Sequence, residues 1–339
     1  MTRTVLITGI SGFIAKHCAV AFLEAGYRVR GTVRSQVKAD EVRRTLGAHA
    51  DASSLEFVEA DLLSDGGWDA ATRDCAAVAH LASPFPISQP KDQNELIRPA
   101  VEGTLRVLKA ARQNGVARFV QTSSVAAIYA GHPFAREKPF TEDDWSIVDS
   151  PATTAYEKSK TLAEKAARDF VASEAPEIHY ASVNPGFVLG PALDADVGSS
   201  ADVILMLLRG SYPAVPRVAF PVVDVRDIAA MHVRAVETIE PSGGRYMGVD
   251  KAMWLVEIAR ALKARLGADA GKVPRRELPD WLVRMLALVD SSAASIVPQL
   301  GRKMQFDNSR TRESLGMTFR PGEEAAEDLA RSLIALEVV

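Results

Sequence analysis

The chain has 339 residues, of which 47% are hydrophobic and 24% are charged, and its formal net charge is −3. This length allows one large domain or two modest ones, and the composition is that of an ordinary globular protein. The small net charge argues against binding to nucleic acid or to an anionic membrane. Its two cysteines, Cys18 and Cys75, cannot form a disulfide framework, so we expect reduced thiols and a cytoplasmic protein.

Apolar runs and histidines are distributed in a way that excludes two further classes of protein. The longest late apolar run, VILMLL at residues 203–208, is far below the roughly 20 residues of a membrane span. The 6 histidines are scattered along the chain and have no partners at metal-ligand spacing. We therefore expect neither membrane association nor a metal site.

Strands and helices are predicted to alternate through the first half of the chain. Apolar runs ended by turn residues predict strands at 4–9, 27–34, 55–62, 76–83, 117–124 and 178–190. Helical spacing of apolar residues predicts helices at 12–27, 38–47, 94–116 and 152–175. This alternation predicts an α/β fold with a doubly wound parallel sheet of the Rossmann type.

The pattern becomes less regular after Pro191. Helices are predicted at 201–209, 227–237, 253–266, 278–289 and 323–336, with short strands between them. We expect residues 1–190 to form the Rossmann domain and residues 191–339 to form mainly a smaller mixed α/β substrate-binding lobe. Residues 220–250 are expected to return to the first domain. Open parallel sheets bind ligands at the carboxyl ends of their strands, where such a lobe would close.

The stretch TGISGFIA at residues 8–15 joins the first strand to the first helix and has the form of a phosphate-binding turn. Its glycines allow a sharp turn and close approach to a pyrophosphate, and the N–H groups that begin the helix face the phosphates. Ala15 replaces a third glycine, and a small alanine still permits helix–strand packing. A tight turn without a ligand is the alternative. We expect cofactor contacts from Thr8, Gly9, Ser11, Gly12, Phe13 and Ile14.

The end of the second strand indicates which dinucleotide is bound. A site for the unphosphorylated cofactor usually carries Asp or Glu about 20 residues beyond the glycines, to hold the ribose hydroxyls. Here GTVRS places Arg34 at that point, and Lys38 follows. A guanidinium binds a 2′-phosphate, which a carboxylate would repel. The sequence therefore predicts NADP(H), and a solvated surface arginine is the alternative.

The ends of the third and fourth strands supply weaker candidates for the same cofactor. Asp61 can accept a hydrogen bond from an adenine amino group, although a helix N-cap explains it nearly as well. The small residues after the fourth strand allow the chain to run beside a cofactor, or form a simple loop. We expect contacts from Asp61, Leu62, Leu81, Ala82 and Ser83.

A tyrosine, a lysine and a serine form the predicted catalytic group. Tyr156 and Lys160 are four residues apart and share one face of the predicted helix, while Ser123 or Ser124 ends the fifth strand above the same sheet edge. Carbonyl reduction requires a hydride and a proton, and a nearby ammonium together with the cationic ring of the oxidised cofactor should lower the phenol pKa from about 10. A serine hydroxyl can hold the substrate oxygen. Aromatic packing beside a solvated lysine is the alternative.

These motifs occur in an order that resembles the extended short-chain dehydrogenase/reductases. TGISGFIA, GTVRS, HLASP, VEGT, TSS, a Tyr-x-x-x-Lys followed by SKTLAEKAA, and NPGFVLGP carry the resemblance, mainly over residues 3–190. It is closest to the branch of dihydroflavonol 4-reductases, cinnamoyl-CoA reductases and related carbonyl reductases. The resemblance implies NADPH-dependent carbonyl reduction with Ser124, Tyr156 and Lys160 as catalytic residues.

The resemblance also implies further contacts with cofactor and substrate. Pro185, Gly186 and Val188 would lie against the nicotinamide half, and Ser199 or Ser200 would approach the diphosphate. Residues 132–145 lack the cinnamoyl-CoA reductase signature, which argues against a thioester substrate. We expect a mostly apolar pocket that takes an aromatic or aliphatic aldehyde or ketone, lined by Phe85, Ile128 and Phe187 with the 190–220 segment and Trp281.

The sequence therefore predicts an NADPH-dependent reductase of aldehydes or ketones that is a monomer or a homodimer. A nucleotide-sugar epimerase or dehydratase and a hydroxysteroid dehydrogenase are the alternatives on the same fold. A non-catalytic NADP(H)-sensing protein is the alternative from another class.

Overall fold

The computed structural model describes residues 3–83, 92–134, 136–238, 240 and 243–339. The strands are β1 (Thr4–Thr8), β2 (Arg28–Val33), β3 (Leu55–Glu59), β4 (Ala77–His80), β5 (Arg118–Thr122), β6 (His179–Pro185), β7 (Phe187–Leu189), β8 (Val215–Pro216), β9 (Ala219–Asp224), β10 (Gly244–Gly248), β11 (Lys251–Trp254) and β12 (Glu277–Leu278). Short 3-10 helices lie at Gly267–Ala270 and Val297–Gln299.

The α-helices lie mostly between these strands. They are α1 (Phe13–Glu24), α2 (Gln36–Gly47), α3 (Trp68–Thr72), α4 (Asn94–Gln113), α5 (Ala126–Tyr129), α6 (Ala155–Glu174), α7 (Ser199–Arg209), α8 (Val225–Thr238), α9 (Leu255–Leu266), α10 (Asp280–Leu286), α11 (Ser291–Ile296), α12 (Ser309–Leu315) and α13 (Gly322–Ala335). Across the described residues, no helix is both long enough and apolar enough to cross a membrane.

A seven-stranded sheet with the order β10-β6-β5-β4-β1-β2-β3 forms the centre of the molecule. Its neighbouring strands pair in parallel, and its middle strands are buried on both faces. The chain runs outward from β1 to β3 and then returns to β4 on the other side of β1. This reversal opens a crevice at the carboxyl ends of β1 and β4, where doubly wound sheets bind ligands. The predicted Rossmann-type fold is confirmed.

The predicted strand 178–190 is wrong in one respect, because the chain changes sheets at Gly186. β6 ends in the main sheet, whereas β7 pairs with β9 in a separate three-stranded sheet of order β11-β9-β7. A Cβ atom on Gly186 would lie 2.0 Å from the carbonyl oxygen of Pro221, so only glycine permits this crossing. The predicted pattern could not show the break, since both halves are apolar and extended.

The second half of the chain contributes to both sheets and builds a core of its own. β10 returns to the edge of the main sheet and pairs with β6. Buried side chains of α7, α9 and α13 pack together beside the three-stranded sheet. Arg226 joins β9 to α13 through ion pairs with Asp224 and Asp328, at 2.7 and 2.5 Å.

Candidate active site

Thr8 at the end of β1 forms hydrogen bonds to the end of β4, on the other side of the crevice. Its hydroxyl oxygen accepts hydrogen bonds from the N–H groups of Leu81 and Ala82, each at 3.0 Å, and donates to Nδ1 of His80 at 2.9 Å. Gly9 follows with φ of +63°, and a Cβ there would lie 3.1 Å from Ala82. Glycine therefore lets the turn after β1 run tightly along the end of β4.

His80 completes this link and carries no charge. Its Nε2 lies 3.2 Å from the hydroxyl of Thr104, which itself donates to the carbonyl of Ala100 at 2.8 Å. Because the Thr104 proton is used there, His80 donates from Nε2 and accepts at Nδ1. Burial, with a smaller effect of Lys160, lowers the pKa of His80 to about 3. The histidine is a fixed neutral part of the crevice wall.

The first turn of α1 is open to an anion. Gly12 is its N-cap residue, no side chain caps it, and the turn contains no acidic residue. Unpaired N–H groups and the helix dipole favour negative charge at such an end. Ala15 is buried in the main core, so its methyl group fills the helix–strand contact. Ser11, Phe13 and Ile14 are half-buried around this turn.

Two cationic side chains lie at and just beyond the end of β2, and they differ in whether they form ion pairs. Arg34 is exposed and makes no hydrogen bond or ion pair with any part of the chain that the structure describes. Lys38, in the first turn of α2, is paired with Glu41 at 3.0 Å and with Asp196 at 2.8 Å. β2 itself ends without a carboxylate.

The start of α6 is fixed by a capping box directly before the predicted catalytic residues. The Thr154 hydroxyl accepts a hydrogen bond from the N–H of Glu157 at 3.3 Å, and the Glu157 carboxylate accepts one from the N–H of Thr154 at 2.7 Å. These reciprocal bonds satisfy N–H groups that a helix start leaves unpaired. They set the first turn of α6, from which Tyr156 projects.

Tyr156, Lys160 and Ser124 come together at the carboxyl ends of β5 and β6. The Tyr156 phenol hydrogen-bonds the Ser124 hydroxyl, and the Lys160 Nζ lies 6.0 Å from the centre of the Tyr156 ring. The adjacent Ser123 turns away and donates to the carboxylate of Glu164 at 2.6 Å. Of the two serines that the sequence left open, only Ser124 therefore meets the tyrosine.

The pKa of Tyr156 is raised in the protein without a cofactor. Burial raises it, and the hydrogen bond from Ser124 opposes this increase only in part. Burial also lowers the pKa of Lys160 to about 8, although the nearby Glu164 raises it. The expected lowering of the phenol pKa by the lysine and the oxidised cofactor together stays a prediction. The phenol stays protonated at neutral pH.

Glu164 is an important residue that the sequence interpretation missed. It is fully buried on α6, one turn beyond Lys160. Burial alone would raise its pKa, but Arg245 and Arg168 outweigh burial and lower the pKa to about 2. The donors closest to its two oxygens, at 2.6 to 2.8 Å, are the side chains of Ser123, Ser182, Asn184 and Arg245. A glutamate four residues after the lysine and four before Arg168 was the available signal.

Asn184 connects this hydrogen-bond network to Ser124. Its amide donates to Glu164 at 2.8 Å and to the carbonyl oxygen of Ser124 at 3.1 Å. The Ser124 hydroxyl also accepts a hydrogen bond from the N–H of Ala126 at 3.1 Å. The serine is thus held through both its backbone and its side chain.

The remaining predicted cofactor contacts lie in several environments. Asp61 accepts a hydrogen bond from the N–H of Leu63 at 2.8 Å, a local turn contact. Val188 is buried in the main core, whereas Pro185 accepts a hydrogen bond from the N–H of Val125 at 3.0 Å. Half-buried positions are Leu62, Ser83, Gly186 and Ser200, and Ser199 is exposed at the start of α7.

The predicted substrate-pocket residues are divided among three environments. Phe187 is half-buried and stacks on Phe220, with ring centroids 4.5 Å apart. Ile128, on α5, is fully buried in a small hydrophobic cluster. Trp281 is 63% exposed on α10. Phe85 lies outside the described residues.

Comparisons with known proteins show the family to which the chain belongs. The family model described as the NAD dependent epimerase/dehydratase family matches residues 5–247. A ketoreductase of Aspergillus niger is 31% identical over 98% of this chain and 98% of its own length. A cinnamoyl-CoA reductase of Medicago truncatula is 35% identical over 77% of this chain and 80% of its own length. A yeast methylglyoxal/isovaleraldehyde reductase, solved with NADPH, has a TM-score of 0.83 at 25% identity and 99% coverage of both chains.

The chain belongs to the NAD dependent epimerase/dehydratase family, the group also called extended short-chain dehydrogenase/reductases. Within it, the relatives place the chain beside the reductases that the sequence motifs resemble, and that resemblance is confirmed.

Proposed function

We propose that this protein is an NADPH-dependent reductase that converts aldehydes or ketones to alcohols. The hydrogen bond between Tyr156 and Ser124, beside Lys160 at the end of the parallel sheet, is the observation that carries the proposal. Relatives named as a ketoreductase and as an NADPH-bound methylglyoxal/isovaleraldehyde reductase support it over almost their whole length.

The residues fit a bound dinucleotide along the crevice. The glycine turn and the uncapped start of α1 would hold the diphosphate, and Arg34 with Lys38 would hold the 2′-phosphate. The carboxylate that usually accompanies the unphosphorylated cofactor is absent from the end of β2. Lys160, Pro185 and Gly186 would lie along the nicotinamide half. The cofactor, once bound, supplies the hydride.

Three side chains would then complete the reduction. Ser124 donates a hydrogen bond to the substrate carbonyl oxygen and holds it beside the phenol. Tyr156 donates its proton to that oxygen as negative charge develops on it. The raised pKa of the buried phenol suits this direction, because the group is protonated before the reaction. The positive charge of Lys160 stabilises the phenolate that remains.

The substrate and the assembly of the protein are parts of the same proposal. The stacked pair of Phe187 and Phe220 favours an apolar or aromatic carbonyl compound. We assign residues 1–190, with β10, to cofactor binding and residues 191–339 mainly to substrate binding. We expect a cytoplasmic monomer or homodimer.

The test measures NADPH oxidation by the purified protein with a panel of aliphatic and aromatic aldehydes and ketones. Wild-type protein should oxidise NADPH with at least one of them. Tyr156→Phe should lower kcat by about 10²- to 10⁴-fold, because it removes the proton donor, and should leave the Kd for NADPH within about twofold. Tyr27→Phe is the matched control, since the buried Tyr27 hydroxyl has no hydrogen-bond partner in the part of the chain that the structure describes.

Two results would contradict the proposal. One is NADPH binding without oxidation by any carbonyl compound, which would favour a sensing protein. The other is full turnover by Tyr156→Phe, which would show that another group supplies the proton.

A further inference from the structure

The loop between β7 and α7 crosses the surface of α1 and α2, and residues 191–198 are here named the crossing loop. The ring of His17 donates from Nε2 to the carbonyl of Pro191 at 2.8 Å. Further along, Asp194 forms an ion pair with Lys16 and accepts a hydrogen bond from the hydroxyl of Thr45 at 2.8 Å. The Lys16 side chain is almost fully buried under the loop. The crossing loop is therefore firmly attached to both helices at Asp194.

The contact made by Asp196 is of a different kind. Its carboxylate reaches the Nζ of Lys38 at 2.8 Å, and the side chain is 55% exposed. Exposed ion pairs contribute little stability, because water and salt screen them. The hydrogen bond to Asp196, together with that to Glu41, raises the pKa of Lys38, which stays charged. The loop is thus attached through Pro191, Asp194 and the backbone of Asp196, whereas the exposed carboxylate of Asp196 makes an ion pair that is easily exchanged.

This exchangeable ion pair borders the predicted phosphate-binding region. A cavity of about 230 Å³ lies between the crossing loop and the two helices, and its lining includes Ser11, Lys38, Thr45, Asp194 and Asp196. Ser11 belongs to the glycine turn itself. Lys38 is four residues beyond the unpaired Arg34. A ligand phosphate held by these cations would meet the carboxylate of Asp196.

We propose that Asp196 competes with the 2′-phosphate of NADPH for Lys38 and so limits the preference of this enzyme for NADPH over NADH. The inference rests on the proposed function, since it assumes a dinucleotide in the crevice. A phosphate dianion displaces a single screened carboxylate, and Asp196 then opposes binding as a nearby like charge. NADH has no phosphate at this position and leaves the ion pair intact. The fixed contact at Asp194 keeps the loop in place in both cases.

The experiment measures Kd for NADPH and for NADH by titration of the protein, with wild type and Asp196→Asn compared at low ionic strength. Asp196→Asn should bind NADPH about three- to tenfold more tightly, with the Kd for NADH unchanged within about 1.5-fold. The gain for NADPH should shrink at high salt. Asp269→Asn, an exposed carboxylate on a distant 3-10 helix, makes the same change in net charge and should alter neither constant.

A double-mutant cycle tests whether Asp196 affects NADPH binding through Lys38. In a Lys38→Gln background, Asp196→Asn should change NADPH affinity by less than about twofold, because the shared cation is gone. Equal changes for NADPH and NADH, no change for NADPH, or a full effect without Lys38 would each overturn the inference. Failure of the proposed function is a separate result: wild-type protein would then bind neither dinucleotide, or would bind NADPH without oxidising it in the presence of any carbonyl compound.

Discussion

At the scale of single residues, the site depends on a carboxylate that touches no reacting group. Glu164 accepts hydrogen bonds from side chains on β6 and β10 and from Ser123 directly after β5, and it lies close enough to Lys160 to raise the pKa of that lysine. The Arg245 side chain, almost as deeply buried, provides its main counter-charge at 2.7 Å. Breaking a buried ion pair on one side leaves an uncompensated charge, which is far more costly than losing a surface pair.

Glu164→Gln should therefore lower the free energy of unfolding by about 3–5 kcal/mol, measured by urea denaturation at pH 7. Glu102→Gln is the matched control, because Glu102 pairs with Arg98 and Arg106 at the surface, each at 3.4 Å. The control should change stability by about 0–1 kcal/mol. Equal effects of the two substitutions would show that burial of the Glu164 network has no energetic role.

Residue-scale prediction from the sequence succeeded where the chemistry is local. The spacing of Tyr156 and Lys160 on one helix face needs no tertiary information, and it correctly predicted that the two side chains lie together. The Glu164 network could not be predicted in the same way. Its partners come from β5, β6 and β10, and only the sheet order makes those strands neighbours.

At the scale of elements, the start of α6 positions Tyr156, the proposed proton donor. Tyr156 is the second residue of this helix, so its position depends on the capping box of Thr154 and Glu157. Both capping bonds lie on the same first turn as the phenol. Fraying of that turn would move the phenol away from Ser124.

Thr154→Ala should lower kcat while costing about 1 kcal/mol of stability, because it removes the cap at the turn that holds Tyr156. Steady-state kinetics and urea denaturation measure the two effects. Thr154→Ser keeps a capping hydroxyl and is the matched control, with kcat close to wild type. A kcat that is equally reduced in both variants would contradict a role for the cap.

The boundaries of helices and strands were predicted from the sequence pattern with unequal success. The predicted helix 152–175 corresponds to Ala155–Glu174. It could be predicted because its capping residues and apolar spacing are features of the local sequence. The short helices α3 and α5 were missed, because a helix of one or two turns has no clear period. The division of 178–190 into two strands depends on the contact between Gly186 and Pro221, which are distant in sequence.

At the scale of the whole molecule, three buried histidines couple folding to pH. Burial lowers the pKa of His17 to about 4, of His80 to about 3 and of His232 to about 4. In the unfolded chain each has a pKa of about 6.5. Between these values the unfolded chain binds more protons than the folded one, so stability falls as the pH is lowered.

The free energy of unfolding should be highest above pH 6.5 and should fall by up to about 4 kcal/mol per pH unit between pH 6 and pH 4. Urea denaturation at pH 7, 6 and 5 measures the slope. His49→Gln is the control, because His49 is exposed, and it should leave the slope unchanged. A stability that is constant between pH 7 and pH 5 would contradict the expectation.

The position of Arg245 in the chain has a consequence for biosynthesis. The arginine follows Glu164 by 81 residues, so it leaves the ribosome later than the carboxylate that it neutralises. At about 5–20 residues per second, the nascent chain would wait about 4–16 s between the two. During that interval the first six strands can assemble only around an acid that lacks its main counter-charge and has Arg168 as its remaining ion-pair partner. Co-translational collapse of the amino-terminal half should therefore stay incomplete until β10 emerges and docks at the sheet edge.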